Sequence, residues 1–222
     1  MKQKIFGVTV AKLTASFGQT IYMVGLSLFF GAILGILLAL VLVLCRKGGL
    51  KENRIVYGIV STFVNIVRSV PFVILIVTIM PLTRAIMGTT IGSTAALVSL
   101  IFYISPYMAR LVENSLLEVS DGIIEAARAM GATTFQTVWN FLLPEALGSI
   151  VLALTTGTIG LLGASAMAGY VGGGGIGDLA LTYGYQKFNT PLMIFTVVIL
   201  IIVVQLLQAL GNGLSRRLRE HN

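Results

Sequence analysis

Residues 121–144 read Asp121-Gly122-Ile123-Ile124-Glu125-Ala126-Ala127-Arg128-Ala129-Met130-Gly131-Ala132-Thr133-Thr134-Phe135-Gln136-Thr137-Val138-Trp139-Asn140-Phe141-Leu142-Leu143-Pro144. This polar island between long apolar runs organises the chain. Asp121 can cap a short helix whose interior runs from Ile123 to Met130, and Gly131 can end it in a left-handed cap. Thr133 and Gln136 have capping-box spacing, so a second helix start follows at once. Phe135, Val138, Trp139 and Leu142 then fall on one helical face. Pro144 stops this second helix and, with Glu145, suits the first turn of the next. The segment is therefore predicted to be a helix, glycine, helix unit outside the bilayer. Helix physics alone leaves open whether that unit docks on a partner or lies on lipid headgroups.

Outward from the island the chain is membrane-like. Of its 222 residues, 56% are hydrophobic and 10% charged, and the mean hydropathy of +0.96 lies far from the usual soluble balance. Five stretches are long enough to cross a hydrocarbon core: about Thr20 to Leu44, Tyr57 to Met80, Ser93 to Leu111, Glu145 to Val171 and Pro191 to Leu210. Backbone groups in lipid must be bonded within the segment, so these spans are predicted to be helices. The first apolar run is longer than a signal h-region and is expected to remain as the first span.

Lysine and arginine placement gives the orientation. Arg46, Lys47, Lys51 and Arg54 mark the first loop as cytoplasmic, together with the 121–144 island and the tail holding Arg216, Arg217 and Arg219. With Arg110 and Arg128, nine basic residues fall on that side, against five (Lys2, Lys4, Lys12, Arg84 and Lys187) on the other. The N-terminus is thus predicted outside and the C-terminus cytoplasmic. The net charge of +7 comes from span flanks and not from an aromatic-interleaved basic patch, so nucleic acid is not an expected partner.

Within the spans, Gly31 and Gly35 form a GxxxG pair, and Gly160, Ala164 and Ala168 form a small-residue ridge. Both serve helix packing, in the subunit or between copies, as readily as a permeation path. Arg68, beside Asn65, Ser69 and Pro71, is a functional candidate because a charge inside a span is costly unless it faces protein or water. Pairing with carbonyls freed by a Pro71 kink, or a place nearer the cytoplasmic edge, accounts for it equally. Pro106 is expected to kink the third span. The run Gly172-Gly173-Gly174-Gly175-Ile176-Gly177 lacks the lysine and hydroxyl of a phosphate-binding loop and is read as a flexible external connection. Tyr170, Tyr183 and Tyr185 suit an interfacial aromatic belt.

Catalytic constellations are missing. His221 is the only histidine and Cys45 the only cysteine, which excludes a disulfide and a histidine/cysteine metal site. Glu113, Glu118, Asp121 and Glu125 sit where solvation, capping and pairing with Arg110 or Arg128 suffice. An intramembrane enzyme would need a nucleophile with its base, an aspartate pair or a metal motif. An ATP-independent secondary transporter would place an ionisable relay and broken helices at mid-membrane. An energy-coupled permease needs neither.

The island resembles the EAA loop of ABC importer permeases: Glu125, Ala126, Ala127, Gly131, Leu143 and Pro144 match its pattern in spacing, with Phe141 in place of the family isoleucine. Asn65 to Phe72, Ala109 to Leu116 and Gly172 to Tyr185 extend the likeness, over about residues 20 to 214, to the methionine ABC importer permeases. The resemblance implies an all-α polytopic membrane protein of the type I permease fold with about five spans, in the bacterial cytoplasmic (inner) membrane. Residues 1–19 would be an extracytoplasmic segment, 20–214 the permease domain with a coupling loop at 121–144, and 215–222 a cytoplasmic tail. It implies a homodimer with the path at its interface, two cytoplasmic ATPase subunits carrying ATP and Mg, and an extracytoplasmic methionine-binding protein. This chain itself would bind no cofactor or metal. Coupling is carried over to Glu125, Ala126, Ala127, Arg128, Gly131 and Ala132. The candidates for path or gate are Arg68, Pro71, Gly160, Ala164, Met167 and Ala168. L-methionine is the expected substrate with D-methionine as a further candidate; another small amino acid or a short peptide is the alternative.

Overall fold

The computed structural model describes residues 4–220; Lys2 and His221 of the readings above lie outside the described residues. Helix dominates. One short antiparallel hairpin precedes it, β1 (Lys4–Ile5) and β2 (Val8–Thr9), turned by Phe6 and Gly7, both at positive φ. The helices then follow: α1 Val10–Cys45, α2 Arg54–Ser69, α3 Phe72–Thr78, α4 Met80–Met87, α5 Ser93–Leu117, α6 Asp121–Ala129, α7 Thr134–Thr137, α8 Leu143–Ala168, α9 Gly175–Asp178 and α10 Thr190–Glu220. They are joined by π-helical stretches at Val138–Leu142 and Leu179–Gln186 and by a kinked turn at Gly169–Gly173, where Val171 and Gly172 leave helical φ/ψ.

Among the described residues, four helical runs are long and apolar enough to cross a membrane: Val10–Cys45, Ser93–Leu117, Thr134–Gly173 and Thr190–Glu220. The second expected span, Tyr57 to Met80, is not one helix. It is interrupted after Ser69, because Pro71 cannot donate to the ladder and disfavours helix at Val70. Counted as one broken span, the α2 and α3 pair brings the total to five. The other spans overrun their expected bounds: α1 begins at Val10, and α10 continues through residues 215–220. Pro106 sits inside the unbroken α5.

Two compact units make up the chain. The first comprises the described residues up to Gly31, Val70–Ile104 and Thr158–Leu207. In it, Pro71 O accepts from the amides of Ile74 and Leu75 and so starts α3. The glycine run is not the flexible connection expected from composition. The Gly175 amide donates to Gln19 Oε1 and the Ile176 amide to Thr20 Oγ1, both at 2.9 Å. Gly172, Gly174 and Gly175 take positive φ, and a Cβ on Gly177 would stand 2.2 Å from the Ala166 carbonyl. Glycine is used here for turns and close backbone approach, and the segment is packed. Of the three tyrosines, Tyr170 and Tyr185 are exposed, while the Tyr183 ring lies 5.2 Å from Lys12 Nζ and 4.2 Å from Lys187 Nζ.

The second unit comprises Ala32–Ser69, Ser105–Gly157 and the described residues from Gln208 onward. Its core is Ala39, Val43, Val112, Leu116, Val138, Leu142, Ala146 and Ile150, drawn from α1, α5, the Val138–Leu142 turn and α8. Of the GxxxG pair, Gly35 brings α1 against α5: a Cβ there would stand 2.5 Å from Met108 Cβ. Residues 121–144 are folded onto this core through Ile123, Ile124, Val138 and Leu142.

Candidate functional site: the capped helix pair at 121–144

Local sequence shapes the site as follows. The cap of α6 is Ser120 and not Asp121: its Oγ accepts from the Gly122 amide at 3.3 Å, and Asp121 occupies the first turn, where a carboxylate favours the helix dipole. At the other end Gly131 has φ +81, its amide donates to Arg128 O, and the Ala132 amide donates to Ala127 O. That is a Schellman closure, and it satisfies carbonyls the helix end would otherwise orphan. Two residues later Thr133 and Gln136 form the expected capping box: the Thr133 amide reaches Gln136 Oε1 at 2.8 Å and the Gln136 amide reaches Thr133 Oγ1 at 3.3 Å. The turn between α6 and α7 is thus fixed by backbone bonds at Gly131 and Ala132 and by the side-chain bonds of the capping box.

Pro144 does not stop the second helix. The chain runs on from Thr134 to Gly173, because the Leu143 amide bonds five residues back to Val138 O and this π turn precedes the proline. A widened turn relieves the ladder bond and the clash that proline would impose in an α-helix. The expected single apolar face divides. Val138 and Leu142 are buried, whereas Phe135 is 73% and Trp139 63% exposed. Their rings stack at 6.1 Å with planes 5° apart.

The sequence-predicted coupling residues separate into two roles. Glu125, Ala126, Arg128 and Gly131 are exposed, Ala132 is half-buried, and Ala127 is fully buried against the body of the unit. Ala127 therefore seats α6 and does not face outward. Sequence reasoning missed the α1–α2 loop: Arg46, Lys47, Gly48 and Gly49 line a cleft of about 360 Å³ with Asp121, Ile124, Glu125 and Arg128. It also missed that Met130, Phe135 and Trp139 are all exposed. Their signal was present in the sequence as large apolar residues in an otherwise polar island.

Of the path and gate candidates, Arg68 belongs to the second unit and Pro71, Gly160, Ala164, Met167 and Ala168 to the first. Arg68 is exposed in the last turn of α2, with its guanidinium 5.8 Å from the Tyr107 ring centre. Asn65, its neighbour, instead accepts from Arg110 at 3.0 Å. Arg110 is also bonded to Ser61 Oγ and Glu113 Oε2, each at 2.6 Å. Glu113 is buried, so pairing and not solvation accommodates its charge. Pro71 caps α3. Along α8, Ala164 and Ala168 are buried, Gly160 is half-buried and Met167 is exposed. Among the described residues no group of three or more histidine, cysteine, aspartate or glutamate side chains is placed to hold a metal.

Comparison with known proteins agrees with this geometry. Residues 31–220 match the family of binding-protein-dependent transport system inner membrane components. The chain is 47% identical over 205 residues to the probable D-methionine transport system permease protein MetI of Vibrio cholerae, covering 92% of this chain and 91% of that one. It is 40% identical over 171 residues to the methionine import system permease protein MetP of Bacillus subtilis, covering 77% of each. Among solved structures, an inward-facing MetNI methionine ABC transporter superposes with a TM-score of 0.92 at 44% identity, over 94% of this chain and 97% of that one. An amino acid ABC transporter, 21% identical with a TM-score of 0.75, shares the fold. This chain, a multi-pass all-α membrane protein of the type I permease fold, belongs to the family of inner membrane components of binding-protein-dependent transport systems.

Proposed function

We propose that this chain is the permease of an ATP-driven methionine importer, and that residues 121–144 are where the ATPase engages it. What supports the reading most directly is the exposed, doubly capped α6–Gly131–α7 unit, joined to α8 without a break. A rigid element at the surface can pass a displacement into a span, which a floppy loop cannot. Exposed Glu125, Ala126, Arg128, Met130, Phe135 and Trp139 make the docking face, and Ala127 with the Schellman turn holds it in place. Two copies form the path, and two cytoplasmic ATPase subunits bind ATP and Mg. This chain is a transport component and not an enzyme. An extracytoplasmic methionine-binding protein delivers the substrate.

The reading places the N-terminus and residues 1–19 outside, the permease domain at 20–214, and residues 215–222 in the cytoplasm. Arg68, Pro71, Gly160, Ala164, Met167 and Ala168 remain the residues assigned to the path or gate. Ala164 and Ala168 are already packed within the subunit, so exposed Arg68 and Met167 are the stronger pair to meet a second copy or substrate.

Uptake of labelled L-methionine tests this, in proteoliposomes holding the permease and its ATPase, with binding protein outside and ATP inside or omitted. Uptake only with ATP is expected, and unlabelled D-methionine should compete. Uptake that ignores ATP would overturn the importer reading. Competition by another amino acid or a short peptide, and not by methionine, would overturn the substrate.

A further inference from the structure

The end of α10 packs on the first half of α8 through contacts spaced one helical turn apart. Gly211 comes so close that a Cβ on it would stand 2.1 Å from Thr155 Oγ1 and 2.6 Å from Thr155 Cγ2. One turn on, buried Ser215 donates from Oγ to Gly148 O at 2.8 Å. One turn further, a Cβ on Gly148 would meet Arg219 Cγ at 2.6 Å, so Gly148 is a seat for the arginine stem. The Arg219 guanidinium donates to Ser149 Oγ at 2.9 Å, and Ser149 donates to Glu118 Oε2 at 2.6 Å. Glu118 lies between the end of α5 and Ser120, the cap of α6.

The contacts reach both ends of the coupling segment. Glu118 precedes α6 by three residues, and Gly148 and Ser149 follow the π turn at the start of α8, the helix that α7 runs into. We infer that Gly211, Ser215 and Arg219 form a clasp that positions the α6–α7 unit, so that a push there moves α8 and is not absorbed at its root. The inference rests on the importer reading; none of the three residues belongs to the proposed docking face. Residues 211–219 thus act through α8 and Glu118, as positioning residues.

Gly211→Ala is the test, because its methyl group has nowhere to go except into Thr155. Thr155→Gly in the same chain removes the obstruction and serves as the rescue. In reconstituted complex, methionine moved per ATP hydrolysed should fall about fivefold or more in Gly211→Ala, the size of an ordinary coupling free energy, and recover in the double variant. Hydrogen exchange at the amides of Ile123 to Thr137, measured on the permease in detergent, should rise in Gly211→Ala and return in the double variant. Where Gly211→Ala fails to accumulate, Arg219→Ala against Arg219→Lys asks the same question, since lysine keeps the stem and a donor for Ser149. Unchanged exchange and an unchanged transport-to-ATP ratio in the accumulating variants would overturn the clasp. Exchange is read without transport, so a wild-type complex that fails to import would defeat the importer reading and leave the clasp to be judged on exchange.

Discussion

The Ala132 amide donates to the Ala127 carbonyl at 3.0 Å, across a Gly131 whose φ of +81 turns α6 into α7. A Cβ on Gly131 would touch nothing within 4 Å, so substitutions there meet only backbone strain. Left-handed conformation costs an ordinary L-residue roughly 1–2 kcal/mol, with asparagine tolerated best. ATP-dependent uptake should therefore fall in the order Gly131, Gly131→Asn, Gly131→Ala, Gly131→Val, with membrane insertion unchanged. Gly131→Asp adds a charge to the docking face and should lose more uptake than Gly131→Asn, its neutral near-isostere. A Gly131→Val chain with wild-type uptake would show that this turn does not matter.

The Arg110–Glu113 pair lies inside the second unit, with side chains 16% and 5% exposed and Ser61 and Asn65 completing the guanidinium's bonds. Removing one partner of such a pair leaves a buried charge uncompensated, typically at about 3–5 kcal/mol. Glu113→Gln should lower the thermal midpoint in detergent markedly. The double change Glu113→Gln with Arg110→Met should recover much of that loss. Equal midpoints for the single variant and wild type would contradict the buried pairing.

Gln19 and Thr20 hold the glycine run by its amides. Thr20→Val keeps the shape and strands the Ile176 amide, a loss of about 1–3 kcal/mol for a buried donor left unpaired. Hydrogen exchange at Gly174 to Gly177 should speed up in Thr20→Val and in Gln19→Ala, while α6 stays as in wild type. Fast exchange across this run in the wild-type chain would instead restore the flexible connection that glycine content alone implies.

Much of the fold was legible in the sequence, since hydrophobic length and cap chemistry are local. The four long apolar spans, the Gly131 turn and the Thr133–Gln136 box all follow from short-range rules. What was not legible depends on partners distant in the chain. Glycine content reads as flexibility until Gln19 and Thr20, more than 150 residues away, supply acceptors. Pro144 reads as a stop until a π turn absorbs it. Ala126 and Ala127 read alike, yet one faces out and the other is buried, because tertiary packing and not residue type sets the facing of α6.

Trp139 is the only tryptophan in the chain and is exposed in the helix that follows the turn. Permease labelled with 5-fluorotryptophan therefore gives a single fluorine resonance at the proposed docking face. On titration with unlabelled ATPase, that resonance should move as the complex forms, and move again when ATP closes the ATPase pair. A resonance that stays put in a complex shown by co-elution to be assembled would contradict docking at residues 121–144.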